Sequence, residues 1–208
     1  MPILSEPTIA DLLTPYLPDP PATLLGHLSA YLDLLLKWNA RTNLTAIRDP
    51  EEIVRRHFGE CLFAASHLPL ERADPSVSAS GAITLLDIGS GAGFPGLPIA
   101  LLRPGVKVTL AESQNKKAAF LREVVRSLNP PNVEVWAARA EILPIDRQFR
   151  VVTLRAVDNM EAALSAATVR VAPGGLLAVL TTVQQAPGAG RSIPLPNSQS
   201  GILYLQSF

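Results

Sequence analysis

The sequence predicts an α/β fold: a mostly parallel sheet with helices on both faces, preceded by a helical extension. Three observations predict it. From residue 83 onward, short apolar stretches alternate with amphipathic ones, the pattern of parallel strands joined by crossover helices. The first of these stretches runs into a turn with glycine at alternate positions, Gly89, Gly91 and Gly93. Before residue 70 the apolar residues recur at helical spacing instead, through Leu24, Leu25, Leu28, Tyr31, Leu32, Leu35 and Trp38.

Taken in order, Asp19-Pro20-Pro21 marks a helix start, with the acid as cap and proline in the first turn. Asp49-Pro50-Glu51-Glu52 opens a second helix with acids at its positive end, and Ile53, Val54, Phe58, Cys61, Leu62 and Ala65 form its apolar side. Residues 71–82 are small and polar and read as a linker. The chain therefore divides into a helical extension over 1–70, the linker at 71–82 and a sheet domain over 83–208. Strands are expected at 83–88, 106–111, 133–137, 150–154 and 175–182, and helices at 95–102, 114–128 and 158–171. The stretch from Gln184 to Ser200 is rich in Pro, Gly, Ser and Gln. After it, Ile202 to Leu205 is expected to close the sheet as an antiparallel edge strand.

Composition narrows the function. The 208 residues carry no formal net charge, so no electrostatic footprint for nucleic acid exists at the level of the whole chain, and a polyanion must meet a local patch. With 48% hydrophobic residues and a mean hydropathy of +0.24 the chain can bury a core. The single Cys61 excludes an internal disulfide framework, and His27, His57 and His67 show no metal-ligand spacing, so no metal is expected. No apolar run is long enough to span a bilayer, and Met1 to Asp11 has no signal-peptide character. A cytoplasmic location is expected.

The turn carries the chemistry. In Leu85-Leu86-Asp87-Ile88-Gly89-Ser90-Gly91-Ala92-Gly93-Phe94-Pro95-Gly96 a buried strand ends in glycines that let the backbone approach a ligand closely. Gly91 to Gly96 satisfies the dinucleotide fingerprint, and the longer pattern from Asp87 to Gly93 looks like the first motif of the class I methyltransferases. A dinucleotide places an anion over the turn, where Asp87 sits badly. S-adenosylmethionine carries a sulfonium and an ammonium, which an acid favours. Val106 to Ala111 alternates like the next strand and ends at Glu112, at the spacing where a carboxylate bonds a ribose diol. Both nucleosides contain that ribose, so Glu112 does not separate them.

Several further segments make the chain resemble the bacterial small-subunit ribosomal RNA guanine-N7 methyltransferases, the glucose-inhibited division protein B family. They are Trp38 to Pro50 followed by His57, the loop Asp87 to Gly96, Lys116-Lys117 with Phe120-Leu121-Arg122, Arg139-Ala140-Glu141 and Leu154-Arg155-Ala156. The resemblance covers roughly residues 24–182. It implies a class I, Rossmann-like methyltransferase that moves a methyl group from S-adenosylmethionine to N7 of a guanine in 16S ribosomal RNA. Its partner is then the small subunit or a precursor, and the chain works as a monomer. By the same resemblance Asp87, Gly89, Gly91, Gly93 and Phe94 form the cofactor loop and Glu112 holds the ribose hydroxyls. Ala140 and Glu141 edge the adenine, and Arg155 sits beside the methionine end or the incoming base.

Guanine N7 has no proton to remove, so no residue is nominated as acid or base. Arg155, Asn39, Asn43 and His57 are candidates for gripping the base or its phosphate, Asn39 and Asn43 being equally suited to a turn between helices. Arg41, Arg48, Lys116, Lys117 and Arg122 are candidates for RNA contact, with Arg126, Arg55 and Arg56 close by. The chain departs from the family where Val157 follows Arg155-Ala156, where Thr181-Thr182-Val183 replaces a lysine-glycine pair, at Gly59-Glu60, and in a shortened segment after Thr182. Rival readings are a methyltransferase of another RNA or a small molecule, an NAD(P)-linked oxidoreductase, and a cofactor-binding protein without catalysis.

Overall fold

The structure is a computed structural model that describes residues 2–70, 83–157 and 159–208; the linker expected at 71–82 lies outside the described residues. A helix not anticipated from the sequence, α1 (Glu6–Leu13), opens it, capped by the Ser5 hydroxyl, which accepts from the Thr8 N–H at 3.3 Å. Helix α2 (Ala22–Thr42) starts after Pro21, which offers no side-chain cap. The expected cap at Asp19 is therefore corrected: proline geometry starts this helix. Asn43, in the left-handed region at φ 44°, ends it. Asp49 caps α3 (Pro50–Glu52) as expected, accepting from the Glu52 N–H at 2.8 Å. The chain continues through a π-helical stretch, Ile53–Gly59, into α4 (Glu60–His67).

Beyond residue 83 come β1 (Thr84–Ile88), α5 (Gly96–Leu102), β2 (Lys107–Ala111), α6 (Asn115–Leu128), β3 (Val133–Trp136), β4 (Phe149–Arg155), α7 (Met160–Thr168), β5 (Val171–Thr182), β6 (Arg191–Pro194) and β7 (Gly201–Ser207). The strands lie in the order β3-β2-β1-β4-β5-β7-β6. Strands β1 to β5 pair in parallel, and β7 runs antiparallel to both β5 and β6. Strand β7 is antiparallel as expected but not at the edge: β6 covers its outer side. Pro194 has no N–H for a ladder, which a four-residue edge strand tolerates, and this hides β6 in a stretch that reads as irregular. Between β5 and β6 only a single helical turn, Val183–Gln185, fits.

Alternate residues of the strands face opposite layers. Leu85, Leu110 and Val151 join α1, α2, α4, α5 and α6 in one core, whereas Leu86, Val152 and Leu177 pack with α7 residues in the other. The N-terminal helices thus share a core with α5 and α6. The order reverses between β1 and β4, and ligands in open α/β sheets bind at the carboxyl ends of the strands at such a switch. Among the described residues no helix is long and apolar enough to cross a membrane.

Candidate functional site

The turn after β1 sits at that switch point, and its glycines perform different tasks. Gly89, Gly91 and Gly93 all have positive φ, at 67°, 57° and 97°. Gly89 is exposed, and a Cβ there meets only Val157 Cγ1, at 3.2 Å. Gly93 is buried against α2: a Cβ there meets Tyr31 Oη at 2.5 Å and Leu121 Cδ2 at 3.2 Å. Gly89 therefore lies on the exposed side of the turn, with Val157 as its one close neighbour, while Gly93 makes room for the N-terminal helices. Tyr31, fully buried, donates from its hydroxyl to the Ala92 carbonyl, which fastens α2 to the turn.

Two carboxylates brace the turn from behind and from the side. Asp87 is completely buried; Oδ2 accepts from the Gly96 N–H at 3.1 Å and Oδ1 from the Thr153 hydroxyl at 2.8 Å. Burial pushes its carboxyl up to about 6, against the opposing pull of Thr153, Gly96 and Ser90 hydrogen bonds and the Arg155 charge. Asp87 thus has no exposed surface, and both of its oxygens brace the turn. Glu112, at the end of β2, accepts from Gly91 N–H through Oε2 at 2.9 Å and from Gln114 N–H through Oε1 at 2.7 Å. The carboxylate expected at the ribose is thus held beside the turn by two backbone donors.

A crevice of about 170 Å³ opens between these parts, lined by Gly89, Ala111, Ala140, Glu141 and Asn159 among others. Ala140 is buried, and Glu141 points its side chain to solvent while its carbonyl accepts from Arg170 at 3.1 Å. Arg170 also donates to the carbonyls of Leu143 at 2.7 Å and Pro144 at 2.6 Å. This buried arginine fixes the wall that Ala140 and Glu141 form. It follows α7 with no motif around it, so nothing in the sequence marked it. A larger crevice of about 650 Å³, lined by Ala156, Val157 and Met160 among others, lies between the ends of β4 and β5 and the chain entering β7.

Of the residues expected to grip a base, Asn39, Asn43 and His57 line neither crevice. Asn39 is 2% exposed; its amide donates to Thr45 O at 2.9 Å and Ile47 O at 3.4 Å, and its Oδ1 accepts from Thr45 N–H at 3.0 Å. Asn43 is the left-handed cap of α2 and accepts from Arg48 at 3.2 Å. Both form the turn that follows α2, Asn39 buried and Asn43 exposed, and the Arg48 guanidinium is drawn into the same turn through the Asn39 carbonyl at 2.8 Å. His57 stacks on Phe94 with ring centres 4.7 Å apart, its Nε2 bonded to the Thr45 hydroxyl at 2.7 Å. Burial, aided by the charges of Arg155 and Arg56, lowers its imidazole to about 3. Phe94 is itself buried, packed against Tyr31 and Phe58 as well as His57.

Arg155, at the end of β4, reaches across to the π-helical stretch. It donates to Glu60 Oε2 at 2.6 Å and Arg56 O at 2.8 Å, and contacts Cys61 Sγ at 3.2 Å. Both members of the ion pair are nearly buried, so breaking it would strand a charge in the interior. The guanidinium also lines the larger crevice, but its partners are residues of the N-terminal helices. Burial pushes the Cys61 thiol up to about 12, which leaves it without nucleophilic character at neutral pH. Lys116 and Arg122 stand exposed and Lys117 half-buried on α6, and Arg41 is exposed at the end of α2.

A neutral His57 at physiological pH has a consequence for stability. Its folded value lies below the ordinary 6.5, so the stability it contributes is full above pH 6.5 and is lost as pH falls toward 3. Imidazole nitrogen shifts followed by NMR are expected to show no His57 titration between about pH 5 and 8, the range in which an unperturbed histidine changes charge. A midpoint near the ordinary value would contradict the buried stack on Phe94.

Comparisons with known proteins agree with this architecture. A family model described as GidB, rRNA small subunit methyltransferase G, matches residues 25–187. The ribosomal RNA small subunit methyltransferase G of Nitrosomonas europaea is 40% identical over 144 residues, 67% of this chain and 62% of that protein. The protein of the same name from Xanthomonas euvesicatoria is 39% identical over 162 residues, covering 78% of this chain and 71% of that one. That from Clostridium perfringens is 46% identical over 134 residues, 62% of this chain and 52% of that one. The chain thus spans between about half and seven tenths of the length of these relatives.

Among solved structures, a SAM-dependent methyltransferase from Aquifex aeolicus has a TM-score of 0.59 at 15% identity, covering 79% of this chain and 97% of that one. A 16S rRNA N2 G1207 methyltransferase from T. thermophilus, in complex with AdoMet and guanosine, has a TM-score of 0.50 at 17% identity, covering 71% of this chain and 42% of that one. These likenesses place the sheet and its crossovers in the class I methyltransferase fold. With the glycine turn, the acid after β2 and a family match across residues 25–187, the chain belongs to the rRNA small subunit methyltransferase G family.

Proposed function

We propose that this chain transfers a methyl group from S-adenosylmethionine to N7 of a guanine in the 16S RNA of the small ribosomal subunit. One observation carries the reading. At the switch point of the sheet, the exposed left-handed Gly89 lines a small crevice and the Glu112 carboxylate is held next to it on the Gly91 N–H, in a chain of this family. Without a Cβ, the exposed backbone at position 89 leaves room for a closely approaching ligand. Glu112 offers its carboxylate to the ribose hydroxyls, and backbone groups of Ala140 and Glu141 edge the adenine. Gly89 and Gly91 face the methionine end. Asp87, Gly93 and Phe94 act from behind, by holding the turn in shape.

S-adenosylmethionine supplies a methyl group already activated by its sulfonium. Guanine N7 offers a lone pair with no proton to lose, so the chain need not supply a base. Its own residues contribute placement, holding donor and acceptor in line as a proximity effect. The states of His57 and Cys61 fit such chemistry, since neither is tuned for proton transfer or nucleophilic attack near neutrality. Exposed Arg41, Lys116 and Arg122 offer charge for phosphates, and a chain without net charge favours a folded, protein-bearing particle over naked RNA. The family's ribosomal substrate supports a cytoplasmic protein, and we read it as acting as a single chain.

The test is methyl incorporation into small subunits purified from a strain lacking the homologous enzyme, followed by mass mapping of the RNA. One guanine gaining a single methyl is expected, with free RNA a poorer substrate. Methylation confined to another RNA class, or none despite cofactor binding, would overturn the reading.

A further inference from the structure

The turn after β1 is held from two directions. On the sheet side, Glu112 accepts from the Gly91 N–H at 2.9 Å and Asp87 from the Gly96 N–H at 3.1 Å. The N-terminal helices grip the residues in between. The Tyr31 hydroxyl of α2 donates to the Ala92 carbonyl. The Phe94 ring packs among His57, Tyr31 and Phe58, with ring centres 4.7, 5.7 and 5.8 Å away. Tyr31 itself is fully buried, its ring centre 5.2 Å from that of Phe58 and 6.3 Å from that of Phe120, so packing fixes the place of its hydroxyl. Burial, and after it the nearby Cys61 and Asp87, raises the phenol well above its ordinary value, which keeps it a donor.

The peptide that Tyr31 holds is one that glycine leaves free to turn. It joins Ala92 to Gly93, and Gly93 lies at φ 97° with Gly91 at 57° two residues before. Glycine accepts either sign of φ, so sterics oppose rotation of this peptide little. Its orientation rests on hydrogen bonds at its two ends. The Ala92 carbonyl accepts from Tyr31, and the Gly93 N–H donates to the Ser90 carbonyl at 2.6 Å. Without the first bond a buried carbonyl loses its partner, and other shapes of the glycine stretch become competitive. Gly91 belongs to that stretch, and its N–H is one of the two donors that hold Glu112.

We infer that Tyr31 is a positioning residue for the cofactor: through the Ala92 carbonyl its hydroxyl holds the glycine turn in its receiving shape before S-adenosylmethionine arrives, which makes helix α2 a working part of the cofactor site. The inference rests on the proposed methyl transfer and deepens it, adding a residue that lies outside the glycine motif and outside the sheet. A turn that holds the receiving shape only part of the time binds more weakly in proportion to that fraction. Tyr31 therefore acts on affinity for the cofactor and leaves the transfer step alone.

The test uses the full chain, with S-adenosylhomocysteine for binding and S-adenosylmethionine with small ribosomal subunits for turnover. Tyr31→Phe removes the hydroxyl and keeps the ring. It is expected to bind S-adenosylhomocysteine about tenfold more weakly, the effect of one lost hydrogen bond between neutral groups. KM for S-adenosylmethionine is expected to rise by the same factor, with kcat at saturating cofactor within about twofold of the wild type. Its Tm is expected to fall by about 5 °C, since the Ala92 carbonyl is left unpaired. Leu35→Val, one turn further along α2 and equally buried, serves as the comparison. It loosens the same helix without touching the hydroxyl, so a similar fall in Tm with wild-type affinity is expected. Unchanged affinity in Tyr31→Phe would overturn the positioning role, and so would an equal loss in Leu35→Val. Amide exchange in the cofactor-free wild type tests the same point without a variant. The Gly93 N–H is expected to be protected before any ligand is added, and protection that appears only with S-adenosylhomocysteine would overturn the inference while leaving the methyl transfer standing. A wild-type chain that binds no S-adenosylhomocysteine would remove both readings.

Discussion

Alanine in place of Gly89 is expected to abolish useful S-adenosylhomocysteine binding while the protein stays folded. Gly89 is exposed, and its added methyl meets only Val157 Cγ1 at 3.2 Å. The cost to the fold is then mainly that of a left-handed alanine, about 1–2 kcal/mol. The same methyl intrudes on the surface that receives the ligand, and overpacking there weakens binding by up to about a hundredfold. Gly93→Ala is expected to behave in the opposite way. Its methyl would lie 2.5 Å from Tyr31 Oη and 3.3 Å from Leu97 Cβ, in a core with φ at 97°. Clash and backbone strain together lower stability by about 3 kcal/mol or more. Calorimetric titration and thermal unfolding of both variants check the pair. A Gly89→Ala protein that binds like the wild type would refute the assignment of the open face.

The second large effect is in the pH dependence of stability. Asp87 is buried, with its folded value raised from 3.8 to about 6. Its contribution is therefore fully present below pH 4 and lost as pH rises through 6, a change of about 3 kcal/mol at 1.36 kcal/mol per unit. Asparagine has no proton to exchange, and its amide can still accept from Gly96 N–H and donate to the Thr153 hydroxyl. The stability of Asp87→Asn relative to the wild type is thus expected to rise by about 3 kcal/mol between pH 4 and 7. Urea unfolding of both proteins across that range measures the difference. A flat difference, or one that falls with pH, would show that the carboxylate is solvated.

Much of the fold was legible because parallel strands buried on both faces announce themselves as short apolar runs. Thr84–Ile88 and Lys107–Ala111 lie within a residue of their expected limits. Strand β6 was not legible, since Pro194 and the surrounding Pro, Gly and Ser signal irregular chain, while an edge position tolerates them. The turn and the acid after β2 were found where backbone geometry demands glycine and where strand ends collect ligands. What spacing does not encode is the direction in which each residue faces. Gly89 and Gly93 look alike in the sequence, yet one opens to solvent and the other accommodates Tyr31. Asn39 and Arg155 carry polar groups that suit a substrate, but their partners, Thr45 and Glu60, become visible only when the chain is folded. The pairing of Arg155 with Glu60 joins residues 95 apart, and no local pattern announces such a contact.

The central claim is that the turn at Gly89, flanked by Glu112, receives a sulfonium-bearing nucleoside. Calorimetric titration of the purified chain with S-adenosylhomocysteine, and separately with NADH, tests it most directly. Saturable one-site binding of S-adenosylhomocysteine and no heat from NADH are expected. Binding of NADH in its place, or no binding of either nucleoside by the folded chain, would contradict it.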